Sequence, residues 1–180
     1  MKYFSSTRSA ILYLSYDGIL EPLGESQVVN YLERLSVSYD ITLISFEKRS
    51  DISSESRLLK FRERLDKIGI HWHPLRYHKS PAVLSTAYDV ARAWWYAWRW
   101  QRRHQSGIAH ARGYVAGLVA LLIKQRPRIR FLFDMRGFWP EEKVEAGHWA
   151  TNSLPYRTAK WCERRFFERS DAIVSLTEAG

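Results

Sequence analysis

Ile11-Leu12-Tyr13-Leu14-Ser15-Tyr16-Asp17-Gly18-Ile19-Leu20-Glu21-Pro22-Leu23-Gly24-Glu25-Ser26-Gln27 decides the fold. A short apolar run that ends at the turn signal Asp17-Gly18 reads as a buried strand. After a loop punctuated by Gly18, Pro22 and Gly24, the residues Val28, Leu32 and Leu35 recur at i, i+4, i+7, with Val29 widening the stripe. That spacing predicts a helix. Glu25 and Ser26 fall in its first turn, where carboxylates and hydroxyls suit unpaired amides. A strand feeding a glycine loop and a helix N-terminus is a place where a ligand oxygen can meet bare backbone N–H groups. The same glycines serve equally well as plain turn formers, and both readings stand.

The rest of the chain alternates in the same way. Asp40–Phe46 is a β-branched run of strand length, followed by a polar loop from Glu47 to Ser56. Leu58, Phe61, Leu65 and Ile68 then mark a helix that Gly69 ends. Ile70–Leu75 is a third strand, and Pro74 marks either a place near a sheet edge or the strand's end. A long helix spans about Pro81 to His104. On its wheel Arg92, Arg99 and Arg103 gather with Asp89 and Tyr96, opposite Val90, Ala93, Trp94, Ala97, Trp98 and Trp100. A basic face against an aromatic face suits a lipid headgroup boundary. It equally suits a crossover helix with its aromatic side on the sheet.

Ile108–Gly113 is a short strand, Val115–Ile123 an apolar helix and Arg130–Asp134 a fifth strand ending on a carboxylate. Pro140 starts a short helix. Pro155 opens another helix, with Ala159, Cys162 and Phe166 as its buried stripe. Asp171–Leu176 is the sixth strand, and residues 177–180 read as a helix start.

With 180 residues, 46% of them hydrophobic, the chain can bury one substantial core as a single domain over residues 1–180. Its net charge of +9 points to anionic partners. Cys162, the single cysteine, excludes an intramolecular disulfide, favours a reducing, cytoplasmic compartment and reads as a core residue. No apolar run reaches transmembrane length. The expectation is a soluble or peripherally attached protein.

Repeated β-α units with near-continuous apolar strands predict an α/β fold: a doubly wound, mostly parallel, Rossmann-like sheet with helices on both faces. Right-handed crossovers put every strand C-terminus on one edge, and ligands bind in the crevice there. The residues just past each strand therefore form the candidate rim: Asp17 and Gly18, Lys48, Arg76 and His78, Arg112, and Asp134 with Arg136.

These residues carry a resemblance. Asp17-Gly18 through Pro22-Leu23-Gly24 to Ser26-Gln27, Ile41–Phe46, Phe133-Asp134-Met135-Arg136-Gly137-Phe138-Trp139-Pro140-Glu141-Glu142 and Ser170–Thr177 together resemble the N-terminal half of a family 4 retaining glycosyltransferase of the GT-B fold. That is the group acting in polysaccharide and lipopolysaccharide assembly. The resemblance implies a domain that holds a sugar or lipid-linked acceptor, facing a C-terminal domain that grips a nucleotide-sugar. Such a C-terminal domain is not contained in these 180 residues, so the chain alone is expected to be inactive. Many relatives carry a histidine after the fifth strand, where this chain has Asp134.

Sugar transfer from a nucleotide diphosphate requires a departing diphosphate to be stabilised and an acceptor hydroxyl to be guided to C1. On this reading Asp134 is the candidate catalytic group. Asp17, Gly18, Gly24, Glu25, Ser26, Arg112 and Arg136 are candidate substrate-binding residues, the amides beside Gly24 and the two guanidinium groups receiving phosphate. The alternative for Asp134 is structural, as a cap or a partner to Arg136. Trp94, Trp98, Arg99 and Arg103 are candidate contacts with an anionic membrane at its inner face. No Asp-x-Asp pair occurs, and His71 and His73 lack a third partner, so no metal or other cofactor is expected.

Gly18 and Gly24 do not make the G-x-G-x-x-G fingerprint of a nicotinamide-dependent dehydrogenase. The basic residues are spread over several helices, with no nucleic-acid recognition motif, so no nucleic acid is expected as partner. A basic, non-catalytic nucleic-acid- or membrane-binding α/β module remains the alternative function.

Overall fold

A computed structural model describes residues 8–104, 107–125 and 128–176. All six predicted strands form: β1 (Ser9–Ser15), β2 (Tyr39–Glu47), β3 (Ile70–Arg76), β4 (Gly107–Arg112), β5 (Ile129–Met135) and β6 (Ala172–Ser175). They make one parallel sheet in the order β3-β2-β1-β4-β5-β6. Pro74 sits in the edge strand β3, where its missing N–H costs no ladder bond between two neighbours. The expected helix start at 177–180 lies outside the described residues.

Alternation along the strands divides the interior into two cores. One face buries Leu12, Leu14, Ala109, Ala111, Phe131 and Phe133 under α5 (Ala82–Arg103), α6 (Gly113–Ile123) and α8 (Leu154–Arg169). The other buries Ile11, Tyr13, Ile41, Leu43, Ile70 and Trp72 under the helix after β1 and α4 (Glu55–Lys67). No described helix adds to that second core over β5 and β6, where Val174 remains exposed. The sheet is therefore covered on both faces near β1 but open on one near β5.

The helix after β1 starts earlier than its apolar stripe. Glu21 caps α1 (Pro22–Gly24) with Pro22 in the first turn, a π-helical turn covers Glu25–Val29, and α2 (Asn30–Leu35) completes it. Gly24 is required by contact: a Cβ there would lie 2.1 Å from the Gly18 carbonyl oxygen. The polar stretch after β2 is also more ordered than expected. It folds as α3 (Arg49–Ile52), with Asp51 and Ile52 donating their amides to the Lys48 carbonyl and Ile52 packing on the second core.

The long helix α5 corrects the expected division of its faces. Its buried seam is Ser85, Asp89, Ala93, Ala97 and Trp100, while Trp94 and Trp95 are exposed and Trp98 half-buried. Small Ala93 and Ala97 let the helix approach the sheet, so the indoles of Trp94, Trp95 and Trp98 fall on its flanks. Asp89, expected among the arginines, is fully buried because it is saturated: the Tyr16 hydroxyl, the His78 amide and His78 Nδ1 reach it at 3.2, 3.0 and 2.6 Å. No helix among the described residues is long and apolar enough to cross a membrane.

The loop after β1 is tied down by one carboxylate. Glu47, at the end of β2, is fully buried and accepts from the Ile19 amide (3.0 Å), the Leu20 amide (3.2 Å) and the Ser45 hydroxyl (2.6 Å). Burial pushes its pKa above the ordinary 4.5, against the opposing pull of those three donors. The folded state thus binds this proton more tightly than the unfolded chain. The group's contribution to stability is full below its unfolded pKa and declines as pH rises through the raised folded value. Glu47→Gln should flatten that decline. Its amide would also face the Leu20 N–H with a donor, costing about 1–3 kcal/mol at neutral pH. Thermal unfolding between pH 4 and 8 would read both effects, and an unchanged pH profile would reject the assignment.

Candidate functional site

The parallel register gathers three of the predicted residues. Arg112, the last residue of β4, lies beside Asp134 of β5 and Ser15 of β1. Asp134, Arg112 and His110 point to one sheet face by alternation, and all three are buried. One carboxylate oxygen of Asp134 lies 3.7 Å from His110 Nε2 and 3.8 Å from Arg112 Nη1. Both distances are ion-pair contacts too long for hydrogen bonds. His110 Nε2 and Arg112 Nε are buried without a hydrogen-bond partner. A buried carboxylate beside two side chains that each leave a nitrogen without a partner is unusual in a folded interior and marks a polar recognition point.

Gln27 connects this cluster to Arg136. Its side-chain oxygen accepts from Arg112 Nη2 at 2.6 Å and from Arg136 Nη2 at 2.8 Å. Gln27 lies in the π-helical turn, a type of helical irregularity frequent at functional sites. A neutral acceptor thereby holds two guanidinium groups together without cancelling either charge. Arg112 is buried and Arg136 half-buried, so the pair presents positive charge from inside the fold to its edge.

Two tyrosines line the floor. The Tyr13 ring stands 4.4 Å from the His110 ring and the Tyr31 ring 6.0 Å from it. Burial above all, and then the charge of Asp134, pushes both phenols upward, while Arg112 pulls Tyr13 down. Both stay neutral hydroxyls at physiological pH.

The other candidates are placed differently. Gly18 packs on Glu47, a Cβ there lying 2.9 Å from Oε2, and the next two amides are bound to that carboxylate. Asp17 is exposed, and its carbonyl accepts from Ser15 Oγ at 3.0 Å. Glu25 pairs with Arg64 of α4, and the Ser26 hydroxyl donates to the Leu23 carbonyl at 3.2 Å. Lys48 pairs with Glu21 at 2.7 Å. So Arg112, Asp134 and Arg136 converge, whereas these loop residues mainly brace the loop.

Gln27, His110, Tyr13 and Tyr31 join the site without having been singled out from the sequence. His110 had one available signal, its position two residues before Arg112 on the same strand face. Nothing in the sequence shows that the helix after β1 contains a π-turn aiming Gln27 at β4 and β5. Cys162 is buried in α8 and its thiol pKa is raised by burial, so it stays an inert core residue. Among the described residues there is no group of three or more His, Cys, Asp or Glu able to hold a metal ion.

Similarity to solved structures is distant. A short-chain dehydrogenase from Oenococcus oeni PSU-1 superposes with a TM-score of 0.47 at 9% identity, over 96% of this chain and 81% of that one. A protein of unknown function from Vibrio parahaemolyticus gives 0.49 at 10% identity, over 97% and 96%. Neither likeness bears on function at those scores. No curated protein matches the chain. Residues 26–180 do match the model of the glycosyl transferase 4-like domain, which takes in Gln27, Arg112, Asp134 and Arg136, and the chain belongs to that family.

Proposed function

We propose that this domain is the acceptor-side half of a nucleotide-sugar-dependent glycosyltransferase of the hexosyltransferase type, acting in polysaccharide or lipopolysaccharide assembly. The observation that carries the reading is the pair of guanidinium groups held on the uncharged Gln27 oxygen next to Asp134. A departing diphosphate needs positive charge aimed where negative charge develops, in a site partly shielded from water. An acceptor hydroxyl needs a carboxylate to orient it or take its proton. Both groups stand at the strand C-termini, where α/β folds bind ligands.

The partner in this reading is a C-terminal donor-binding domain. Leu23 in α1 and Phe138 in the loop after β5 are exposed apolar side chains at the edge it would face. The chain on its own should therefore bind UDP- or GDP-sugars no tighter than about millimolar, the scale of a few unassisted polar contacts. Joined to its donor half, it should transfer labelled sugar. Micromolar nucleotide-sugar affinity in calorimetry of the 180-residue chain would move the donor site into this domain and reject the division of labour. No metal or other cofactor enters this reaction scheme; the nucleotide-sugar is a substrate.

Peripheral attachment to the inner face of the membrane belongs to the same proposal. It is supported by the exposed Val83, Leu84, Tyr88, Trp94 and Trp95 of α5, with Arg92, Arg99 and Arg102 over aromatic rings alongside. Trp94→Asp should reduce cosedimentation with phosphatidylglycerol vesicles severalfold, since an anchoring indole is replaced by a charge. Equal pelleting of both proteins would remove the membrane contact.

A further inference from the structure

A cleft of about 740 Å³ lies on the β3 side of the sheet, between β2, β3 and the C-terminal half of α5. It opens toward the N-terminal ends of the strands, the end opposite to Asp134. Its walls combine Arg62 from α4 with Arg99 and Arg103 from α5, and the aromatic rings of Trp95 and Tyr96. Among the described residues none of these three arginines is in an ion pair; Arg99 instead lies 4.8 Å over the Trp95 ring. Of the two carboxylates at the cleft, Asp40 faces His104 at 4.0 Å, leaving Asp66 against three guanidinium groups.

His73 reports the resulting field. Its ring stands 5.7 Å from Tyr96, and its pKa is lowered first by burial and then by His71, Arg62 and Arg103. The guanidinium groups of Arg62 from α4 and of Arg99 and Arg103 from α5 thus raise one another's energy, and an anion entering the cleft would relieve all three. Guanidinium groups suit phosphate because their paired N–H donors match two of its oxygens, and three of them together match its double charge. The aromatic wall adds a flat, partly apolar surface that a bare inorganic ion would not use.

We propose that this cleft is a second binding site, taking a phosphate ester whose phosphate is held by Arg62, Arg99 and Arg103 and whose apolar or planar body lies on Trp95 and Tyr96. The site shares no residue with the cluster around Gln27, so it stands apart from sugar transfer, while Trp95 and Arg99 also belong to the α5 face proposed to meet the membrane.

Phenyl phosphate and inorganic phosphate, each titrated into the 180-residue chain and followed by the imidazole resonances of His71 and His73, test the site. Phenyl phosphate should bind about tenfold tighter than inorganic phosphate, the gain expected from one aromatic contact. Arg99→Ala/Arg103→Ala should weaken both about tenfold or more through loss of charge-assisted bonds. Both arginines are exposed, so the variant should fold, and Arg164→Ala/Arg169→Ala on α8 controls for the loss of two charges. Trp95→Ala should bring phenyl phosphate down to the inorganic level. Phosphatidylglycerol vesicles that compete with phenyl phosphate would identify a lipid headgroup as the source of the ester; lack of competition would identify a soluble one. Unmoved imidazole resonances at millimolar ligand, or equal binding by the double variant, would overturn the proposal.

Discussion

In the enzyme completed by its donor-binding half, Asp134→Asn should lower kcat by about 10²-fold or more, the scale of a positioned acid–base group. Asparagine keeps nearly the same shape and still accepts a hydrogen bond, but it carries no charge and cannot take a proton. The surroundings add a structural consequence. Asp134 is the carboxylate beside both His110 and Arg112, at 3.7 and 3.8 Å, and Arg112 is buried. Neutralising it removes the carboxylate charge beside buried Arg112, so about 1–3 kcal/mol of stability should go as well. For a chain of this size that is a fall of about 2–4 °C in Tm per kcal/mol. The two roles separate at a temperature well below the variant's Tm, where nearly all molecules are folded. A large kcat deficit there is catalytic, whereas normal kcat with a lowered Tm would assign Asp134 to holding β4 and β5 together. On the proposed division of labour, nucleotide-sugar affinity should change little in either case, because most of the donor would be held by the other half.

The strands and their order of appearance were legible because each is a near-continuous apolar run, and such runs have few alternatives in a parallel sheet. The edge position of β3 was legible from Pro74, a residue with one chemical defect. Asp134 and Arg112 were legible as rim residues because strand ends in a parallel sheet converge by topology. The faces of α5 were not. Helical spacing sorts residues by polarity, yet the sheet selected small Ala93 and Ala97 for contact and buried Asp89 among Tyr16 and His78. Close approach of a helix is decided by side-chain volume against a particular neighbour, which a wheel does not contain.

The glycine loop shows the same limit. Its glycines read equally as room for a ligand beside bare amides and as plain turn formers. In the fold the room is taken by Glu47 at Gly18 and by the Gly18 carbonyl at Gly24. A carboxylate 28 residues away from Ile19 satisfies the amides that local sequence left open. The loop's contribution to the site is mechanical: held by Glu47, it fixes where the helix after β1 begins, and hence where Gln27 points.

That makes Gln27 the sharper test of anion recognition. Its oxygen draws Arg112 and Arg136 to within 2.6 and 2.8 Å of one point. Two like charges converge there on an acceptor that is set by the π-turn and carries no charge of its own. Gln27→Met keeps the length of the side chain but removes the acceptor, so each guanidinium loses one partner and the pair is free to separate. The completed enzyme should lose about tenfold in kcat/KM, the worth of one lost charge-assisted positioning contact. Gln27→Glu should be worse, by about a further tenfold, because a carboxylate satisfies both arginines and competes directly with a phosphate for them. Stability should move the opposite way: the Glu variant gains an ion pair with two arginines and should unfold no earlier than wild type, while the Met variant unfolds earlier. A measured rank in which Gln27→Glu retains more activity than Gln27→Met would mean that Arg112 and Arg136 act as structural ties for β4 and β5, with no anion to receive. The predicted rank, less active but at least as stable for the added charge, is what an anion site held open by a neutral side chain requires.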